Sequence, residues 1–373
     1  MRDALLTRAK RVVVKIGSTL VATRSEGLRE QRIQTLVHDL LAVQAAHRQV
    51  VIVSSGAILA GIGHLGLKHY PRTLPLKQAA AAVGQSRLIR AYEKAFERQG
   101  QRIAQILLTH QDLADRKRFL NARHTLTALL DLGVIPIINE NDTVSVDEIR
   151  FGDNDTLAGQ VAHLIDADVL VILSDVDGLY SADPHRHPDA TLIPVVSTIT
   201  SEIERMAGPS NNPENRGGMF TKVQAAKHAA HFGVTTLILN GETPGLLPRA
   251  LAGAPIGTCF LPRHRPLPSR KHWIAFTLRP KGALVIDEGA VEALCARGKS
   301  LLPSGILDVS GQFDPGDAVR CLDRHGKEVA KGLVNYSADT LRRIKGHRTQ
   351  DLPQLLGTRD YDEVIHRDNL VLV

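Results

Sequence analysis

Continuous apolar runs rich in β-branched residues, each followed by a longer amphipathic stretch, leave this chain few folds to choose from. The runs are Val12–Ile16, Val50–Val53, Ile103–Leu108, Val134–Ile138, Val169–Leu173 and Thr235–Leu239. Most lack the strict in–out alternation of a half-wet strand, so they suit strands covered on both faces, as in a parallel sheet. Helical spacing fills the intervals at Arg29–His47, Lys77–Gln99, Phe119–Leu132, Thr156–Ile165 and Met219–Phe232. The pattern predicts an α/β protein, a three-layer α/β/α sandwich with a mainly parallel central sheet and right-handed crossovers.

The pattern changes after Phe260. Residues 261–275 open with LPRHRPLPSRK, rich in proline and base, and read as a linker. Residues 276–373 carry short strand-like segments (LVID, ILDV, AVRCLD, EVAKGLV) broken by Gly, Pro and Asp turns, which predicts a small β-barrel-like domain. A chain of 373 residues accommodates this division, with the first domain over 1–260. Aromatic residues make up only 4%, so both cores must be built from Val, Ile, Leu and Ala.

Composition narrows the setting. Cys259, Cys295 and Cys321 are odd in number and far apart, which suits free thiols in a reducing compartment. MRDALLTRAK has no apolar core of signal-peptide length, and no apolar run nears the ~20 residues that span a bilayer. The expected location is the cytoplasm, away from membranes. The net charge of +7 can attract anionic partners but reads first as a solvated, mildly basic surface. Arg263, Arg265, Arg270, Lys271, Arg279 and Lys281 run without an intervening acid, yet only Trp273 and Phe276 stand near them for base stacking. A solvated basic stretch is expected there, and RNA is not expected as a partner.

Ligands in open α/β sheets sit at the carboxyl ends of the strands, so the residues just after each run matter most. The first run ends VVVKIGS, with Lys15 in an apolar strand. Such a lysine either meets an anion or is an edge lysine whose head reaches water. The second ends in Ser54, Ser55 and Gly56, where a helix start offers N–H groups to an anion or a serine simply caps the helix. The fourth ends in Asn139, Glu140, Asn141 and Asp142. FGDNDTLAG then brings Asp153, Asn154 and Asp155 to a helix start. Asp153 reads as an N-cap, and the two polar clusters together suit an amino acid's ammonium group or the orienting of lysines. The fifth ends in Ser174, Asp175 and Asp177, either a polar turn or the edge of a nucleotide site. In RGGMFTK, Gly217 and Gly218 precede a helix and Lys222 lies a turn into it, which suits a phosphate or a plain glycine turn.

Several signatures are absent or misplaced. Gly61, Gly63 and Gly66 match GxGxxG, but SSGAILA separates them from the strand end, and the region around Ser86 lacks the acid that a dinucleotide fold requires about twenty residues on. Walker A and DFG patterns are missing, and the HRD at His366, Arg367 and Asp368 lacks the asparagine that completes a protein-kinase catalytic loop. A kinase reading therefore needs another architecture.

VVVKIGSTL, VIVSSGAILAG, QAAAAVGQSRL, LLTHQDLADRKRFLNARHTL, PIINENDTV, FGDNDTLAG, LSDVDGLYSADP and GGMFTK, taken in this order, resemble the amino acid kinase family. VIDEGAVEAL, SLLPSGI and GDAV resemble the PUA domain that many of its carboxylate-phosphorylating members carry. The resemblance implies ATP-dependent phosphorylation of the L-glutamate side-chain carboxylate, giving L-glutamyl 5-phosphate and ADP, the first step of proline biosynthesis. Alternatives are another carboxylate kinase of the family or an RNA-binding PUA protein. Carried over by position, Lys15 and Lys222 contact the phosphates, and Asp155 sits between substrate and nucleotide and orients both lysines. Ser55, Asp142 and Asn154 bind glutamate. Ser174 and Asp175 lie at the nucleotide, and Arg216, Gly217, Gly218, Met219, Phe220, Thr221 and Lys222 wrap its phosphates. Arg216 and Phe220 depart from the family's usual small residues. The resemblance also implies Mg2+ with the ATP, proline as a feedback inhibitor, a homodimer or tetramer, and handover of the product to glutamate-5-semialdehyde dehydrogenase. No protein residue is assigned as a metal ligand, because Mg2+ rides on phosphates and water with few carboxylates.

Overall fold

The computed structural model describes residues 1–24, 27–145, 154–184, 186–208, 218–262, 274, 278, 280–357 and 361–372. The chain divides into two compact units, Met1–Pro266 and Leu267–Val373.

Eight strands form the sheet of the first unit: β1 (Arg11–Ile16), β2 (Gln49–Ser54), β3 (Ile103–Leu108), β4 (Ile135–Glu140), β5 (Val169–Ser174), β6 (Val195–Val196), β7 (Thr235–Asn240) and β8 (Thr258–Phe260). Their order is β3-β4-β2-β1-β5-β7-β8-β6. Pairings from β3 through β7 are parallel, and β8 runs antiparallel to β7 and parallel to β6. The sheet is thus mixed only at one margin. Strands β6 and β8 escape sequence reading because two or three residues are too few to show a period.

Helices cover both faces. One layer holds α1 (Arg2–Thr7), α2 (Glu30–Ala45) and the C-terminal half of α4 (Leu74–Glu97), with α8 (Leu246–Leu251). The other holds α5 (Arg116–Asp131), α6 (Asn154–Leu164) and α7 (Met219–His231). Strand parity sorts the side chains between the layers. Val12, Val14 and Ile16 pack towards α2, whereas Val13 packs towards α6 and α7. Each fully buried Val, Leu or Ile contributes roughly 1.5–3 kcal/mol, so both faces are strongly committed. Lys15 shares the parity of Val13 and therefore points at α6 and α7.

The short α3 (Ala57–Leu65) crosses α4 with no side chain between them. A Cβ on Gly61 would lie 1.8 Å from the Ala80 carbonyl oxygen, and one on Gly84 would lie 1.8 Å from that of Ala57. Gly61, the first glycine of the misplaced GxGxxG, is thereby accounted for by helix packing.

The second unit is built on five strands, β9 (Gly282–Ile286), β10 (Ile306–Gly311), β11 (Ala318–Leu322), β12 (Glu328–Leu333) and β13 (Leu370–Leu372), ordered β10-β9-β11-β12-β13. Its own core includes Leu284, Phe313, Val319, Leu341 and Ile365. Cys259 and Cys321 are buried, Cys295 is exposed, and all three are free thiols. Most of residues 261–275 lie outside the described residues, as do Trp273, Phe276 and Arg279.

Candidate active site

The carboxyl ends of β1, β2, β4, β5 and β7 lie side by side, and backbone hydrogen bonds fasten their tips. Gly17 N–H donates to the Leu173 carbonyl at 3.1 Å, Ser55 N–H to Ile16 at 3.2 Å, and Gly241 N–H to Ser174 at 2.6 Å. Side chains at these tips are held to a narrow range of positions.

Asp155 is the centre of this edge. It occupies the first turn of α6, is 1% exposed, and faces β1 and α7. Lys15 Nζ lies 2.5 Å from its Oδ1 and Lys222 Nζ lies 3.3 Å from its Oδ2. The two lysines, 5% and 4% exposed, come from strands and helices some two hundred residues apart and meet on one carboxylate. The Thr221 hydroxyl also lies 2.8 Å from Asp155 Oδ2 and 2.9 Å from the Gly218 carbonyl. Burial alone would raise the Asp155 carboxyl, but the ammonium groups of Lys15 and then Lys222, with the Thr221 hydroxyl, outweigh it and hold it at about 2. Burial lowers the Lys222 ammonium, Asp155 opposes that, and Lys15 adds repulsion. The trio itself carries two cations and one anion, a net positive charge that suits a polyanion, with the Asp175 carboxylate close by.

Beside this trio, Asn154 closes a second cluster. Its Nδ2 donates towards the Ser54 carbonyl at 2.7 Å, Ser55 Oγ at 3.0 Å and Asn139 Oδ1 at 2.9 Å. Its Oδ1 is buried and has no hydrogen-bond partner among the described residues. A buried amide oxygen without a donor is costly, so it fits a donor brought by a ligand. Ser54 Oγ lies 3.1 Å from the Tyr92 hydroxyl. Gly56 caps α3 at φ 99°, a left-handed conformation that glycine adopts without penalty. No serine side chain caps this helix, so the capping alternative is set aside.

Asp142 sits in a compact turn. The Val144 and Ser145 N–H groups both donate to the Asn141 carbonyl at 3.2 Å, and Gln78 Nε2 donates to the Ser145 carbonyl at 3.1 Å. Burial, and then the neighbouring Glu140 carboxylate, push the Asp142 carboxyl up to about 7. No hydrogen bond or ion pair to Asp142 exists among the described residues. A cationic ligand there would relieve both effects.

Ser174 Oγ donates to Asp175 Oδ1 at 3.0 Å at the tip of β5, and Asp175 is near enough to Lys222 to stabilise its charge. Asp177 is instead tied by Asn240 Nδ2 at 2.9 Å and the Tyr180 hydroxyl at 3.1 Å, as a structural turn residue. Gly218 caps α7, and Met219 packs partly on the core beneath. Phe220 is half-buried in the first turn of α7. Arg216, Gly217 and Asp153 lie outside the described residues. Sequence reading assigned no role to Tyr92 or Gln85, noted Asn139 only within a polar cluster, and placed Thr221 on the nucleotide rather than on Asp155. Asn139 carried a usable signal, since a polar residue continuing an apolar strand is buried and needs partners.

A cavity of about 510 Å3 opens at the opposite edge of the sheet, lined by Ala9, Asp168, Val234 and Thr235 among others, and contains none of these groups. Among the described residues no helix is long and apolar enough to cross a membrane.

A parallel-centred sheet with anion-attracting groups at its carboxyl edge defines a phosphate-handling α/β protein. The chain matches the model of the amino acid kinase family over residues 10–240 and belongs to that family; residues 282–356 match the PUA domain. It is 54% identical to the glutamate 5-kinase of Geobacter sulfurreducens over 373 residues, 100% of each chain. It is 50% identical to that of Moorella thermoacetica, over 99% of this chain and 97% of that one. Among solved structures, the UMP kinase of Bacillus anthracis aligns with a TM-score of 0.47 at 15% identity, covering 68% of this chain and 96% of that one.

Proposed function

We propose that this chain transfers the γ-phosphoryl group of ATP to the side-chain carboxylate of L-glutamate, giving L-glutamyl 5-phosphate and ADP, the first step of proline biosynthesis. The observation that carries this reading is the convergence of Lys15 and Lys222 on Asp155, beside the half-satisfied Asn154 and the cation-seeking Asp142.

A side-chain carboxylate, with an ordinary pKa of about 4.3, is already an anionic nucleophile at neutral pH and needs no general base. One of its oxygens forms a bond to the γ-phosphorus as the bond to the β–γ bridging oxygen breaks, and that electron pair leaves with ADP. Catalysis then consists of alignment and charge stabilisation. Lys15 and Lys222 hold the transferring oxygens, and Asp155 keeps both ammonium groups charged and aimed. Gly218, Met219, Phe220 and Thr221 form the start of α7 along the phosphates, and Arg216 and Gly217 precede them in sequence. Ser174 and Asp175 flank the nucleotide. Ser55 and the Asn154 amide hold the amino acid, and Asp142 pairs with its ammonium group.

Among the described residues no three His, Cys, Asp or Glu side chains gather into a metal cage. Mg2+ brought with ATP would be held by the phosphates and water, with no protein ligand assigned. That ion would supply further neutralisation of the phosphoryl oxygens. Proline, resembling the substrate's backbone, is the proposed feedback inhibitor. A homodimer or tetramer, a cytoplasmic setting and handover of the acyl phosphate to glutamate-5-semialdehyde dehydrogenase complete the reading. The kinase reaction is assigned to residues 1–260, joined by 261–275 to the PUA-like segment 276–373.

The deciding experiment measures ADP release with L-glutamate, N-acetyl-L-glutamate, L-aspartate, carbamate and UMP as acceptors, with hydroxylamine to trap any acyl phosphate as a hydroxamate. Glutamate should be turned over fastest and yield hydroxamate; a faster rate with any other acceptor refutes the proposal. Asp142 supplies a sharper check. Asp142→Ala should raise the glutamate KM roughly 10- to 100-fold and leave the ATP KM nearly unchanged. In the parent enzyme the glutamate KM should rise as pH falls below about 7, because protonation removes the charge that pairs with the ammonium group. Equal effects on both substrates, or a KM flat across that range, would remove Asp142 from the glutamate site.

A further inference from the structure

Glu140 ends β4 beside the groups that hold glutamate in the proposed reaction. Along this strand Ile137 packs in the layer of α2 and Ile138 in the layer of α6, so parity turns Asn139 to the first and Glu140 to the second. Asn139 Nδ2 accordingly donates to Gln85 Oε1 on α4 at 2.7 Å. The Glu140 N–H and Asn154 Nδ2 both donate to Asn139 Oδ1, each at 2.9 Å, which sets the Glu140 backbone beside the Asn154 amide. Asn154 is 5% exposed, and its buried Oδ1 has no hydrogen-bond partner among the described residues.

Glu140 is also clasped to the turn that carries Asp142. The Ser145 hydroxyl donates to Glu140 Oε1 at 3.3 Å, while the Val144 and Ser145 N–H groups close the turn on the Asn141 carbonyl. Asp142 lies within that turn, and the Glu140 charge is one cause of its raised carboxyl, after burial. Carboxylates are acceptors only, and two of them held together away from water resist ionising together. A cation shared by the pair removes that conflict. An ammonium group brings three N–H donors, so it can use two carboxylates and an amide oxygen at once.

We propose that Glu140 is a second carboxylate of the ammonium site, so that the substrate's three N–H groups meet Asp142, Glu140 and Asn154 Oδ1. This rests on the reading that Asp142 and Asn154 hold glutamate. Glu140 then determines specificity. A ligand whose nitrogen is blocked or missing leaves two neighbouring carboxylates without a cation, and the site rejects it more strongly than one carboxylate would.

Glu140→Gln tests this, because its amide oxygen still accepts from Ser145 while the charge is gone. Assays at pH about 8.5, above the Asp142 value of about 7, keep Asp142 charged in parent and variant alike. Glu140→Gln should raise the glutamate KM about 10-fold and leave the ATP KM within about twofold of the parent. Glutarate, which keeps both carboxylates and lacks the ammonium group, should inhibit the variant at least as well as the parent. Ser145→Ala, which breaks the clasp and keeps the charge, should change neither constant appreciably. An unchanged glutamate KM in Glu140→Gln overturns the inference. So does an equal loss of glutamate and glutarate binding, or a Ser145→Ala enzyme as impaired as Glu140→Gln, since each marks a structural effect. Asp142→Asn, assayed alongside, separates the two levels. If it too leaves the glutamate KM unchanged, the pocket assignment fails; if it raises that KM while Glu140→Gln does not, only the role of Glu140 fails.

Discussion

Replacing Asp155 with alanine should abolish phosphoryl transfer and destabilise the sheet edge together. The substitution takes from Lys15 and Lys222, both almost fully buried, the carboxylate they share. Removing one partner of a buried ion pair costs about 3–5 kcal/mol, and here two cations lose the same partner. Thermal or urea unfolding should show a large loss. Asp155→Asn separates the two effects, because it keeps the shape and the Thr221 contact but not the charge. It should fold more stably than the alanine variant and still lose on the order of 10²–10³ in kcat. The pH dependence has a definite sign. The folded carboxyl is held at about 2, below its ordinary value of 3.8, so its contribution is complete above that ordinary value and is lost as pH falls through about 2. The stability gap between the parent and Asp155→Asn should therefore shrink in strong acid. An Asp155→Ala protein with parental stability and turnover would show that the trio is incidental.

Gly84→Val should be nearly as damaging, for a reason unrelated to charge. Even the first carbon of a side chain there would lie 1.8 Å from the Ala57 carbonyl oxygen and 2.5 Å from the Gly61 nitrogen. Both obstacles are backbone, so no rotamer change relieves them, and α4 must move off α3. Overpacking costs about 1–3 kcal/mol where side chains can yield, and more is expected here. A loss of about 3 kcal/mol corresponds to a fall of about 6–12 °C in Tm for a unit of this size. Because α4 carries Gln85 and Tyr92 and α3 follows the Ser55 turn, the surviving protein should also bind glutamate poorly. Parental Tm in Gly84→Val would contradict the packing described.

The central sheet was legible because its strands are covered on both faces and so spell out apolar runs. The short β6 and β8 were not, since their pairing is decided by neighbours distant in sequence. Lys15, Ser55, Asp142 and Ser174 stand at or just after strand ends, where the sheet rule directs attention, and the roles proposed for them come from the family resemblance. The meeting of Lys15 and Lys222 was implied by the resemblance alone; its physical reason, the register that gives Lys15 the parity of Val13, needed the structure. Thr221, Tyr92 and Gln85 act through single hydrogen bonds between distant elements, and hydrogen bonds leave no periodic trace. GxGxxG misleads for the opposite reason: glycine is needed for close helix packing as much as for phosphate loops, and Gly61 serves the former.

The carboxylate between the lysines also bears on which anions can occupy the site at rest. A small singly or doubly charged ion must compete with an internal occupant already held 2.5 Å from Lys15 Nζ. A triphosphate, with several charged oxygens and a nucleoside to anchor it, can draw on the surplus positive charge without displacing that occupant. In the proposed reaction the internal anion would thus work as a threshold, favouring extended polyanions over stray phosphate or sulfate in a crowded solution.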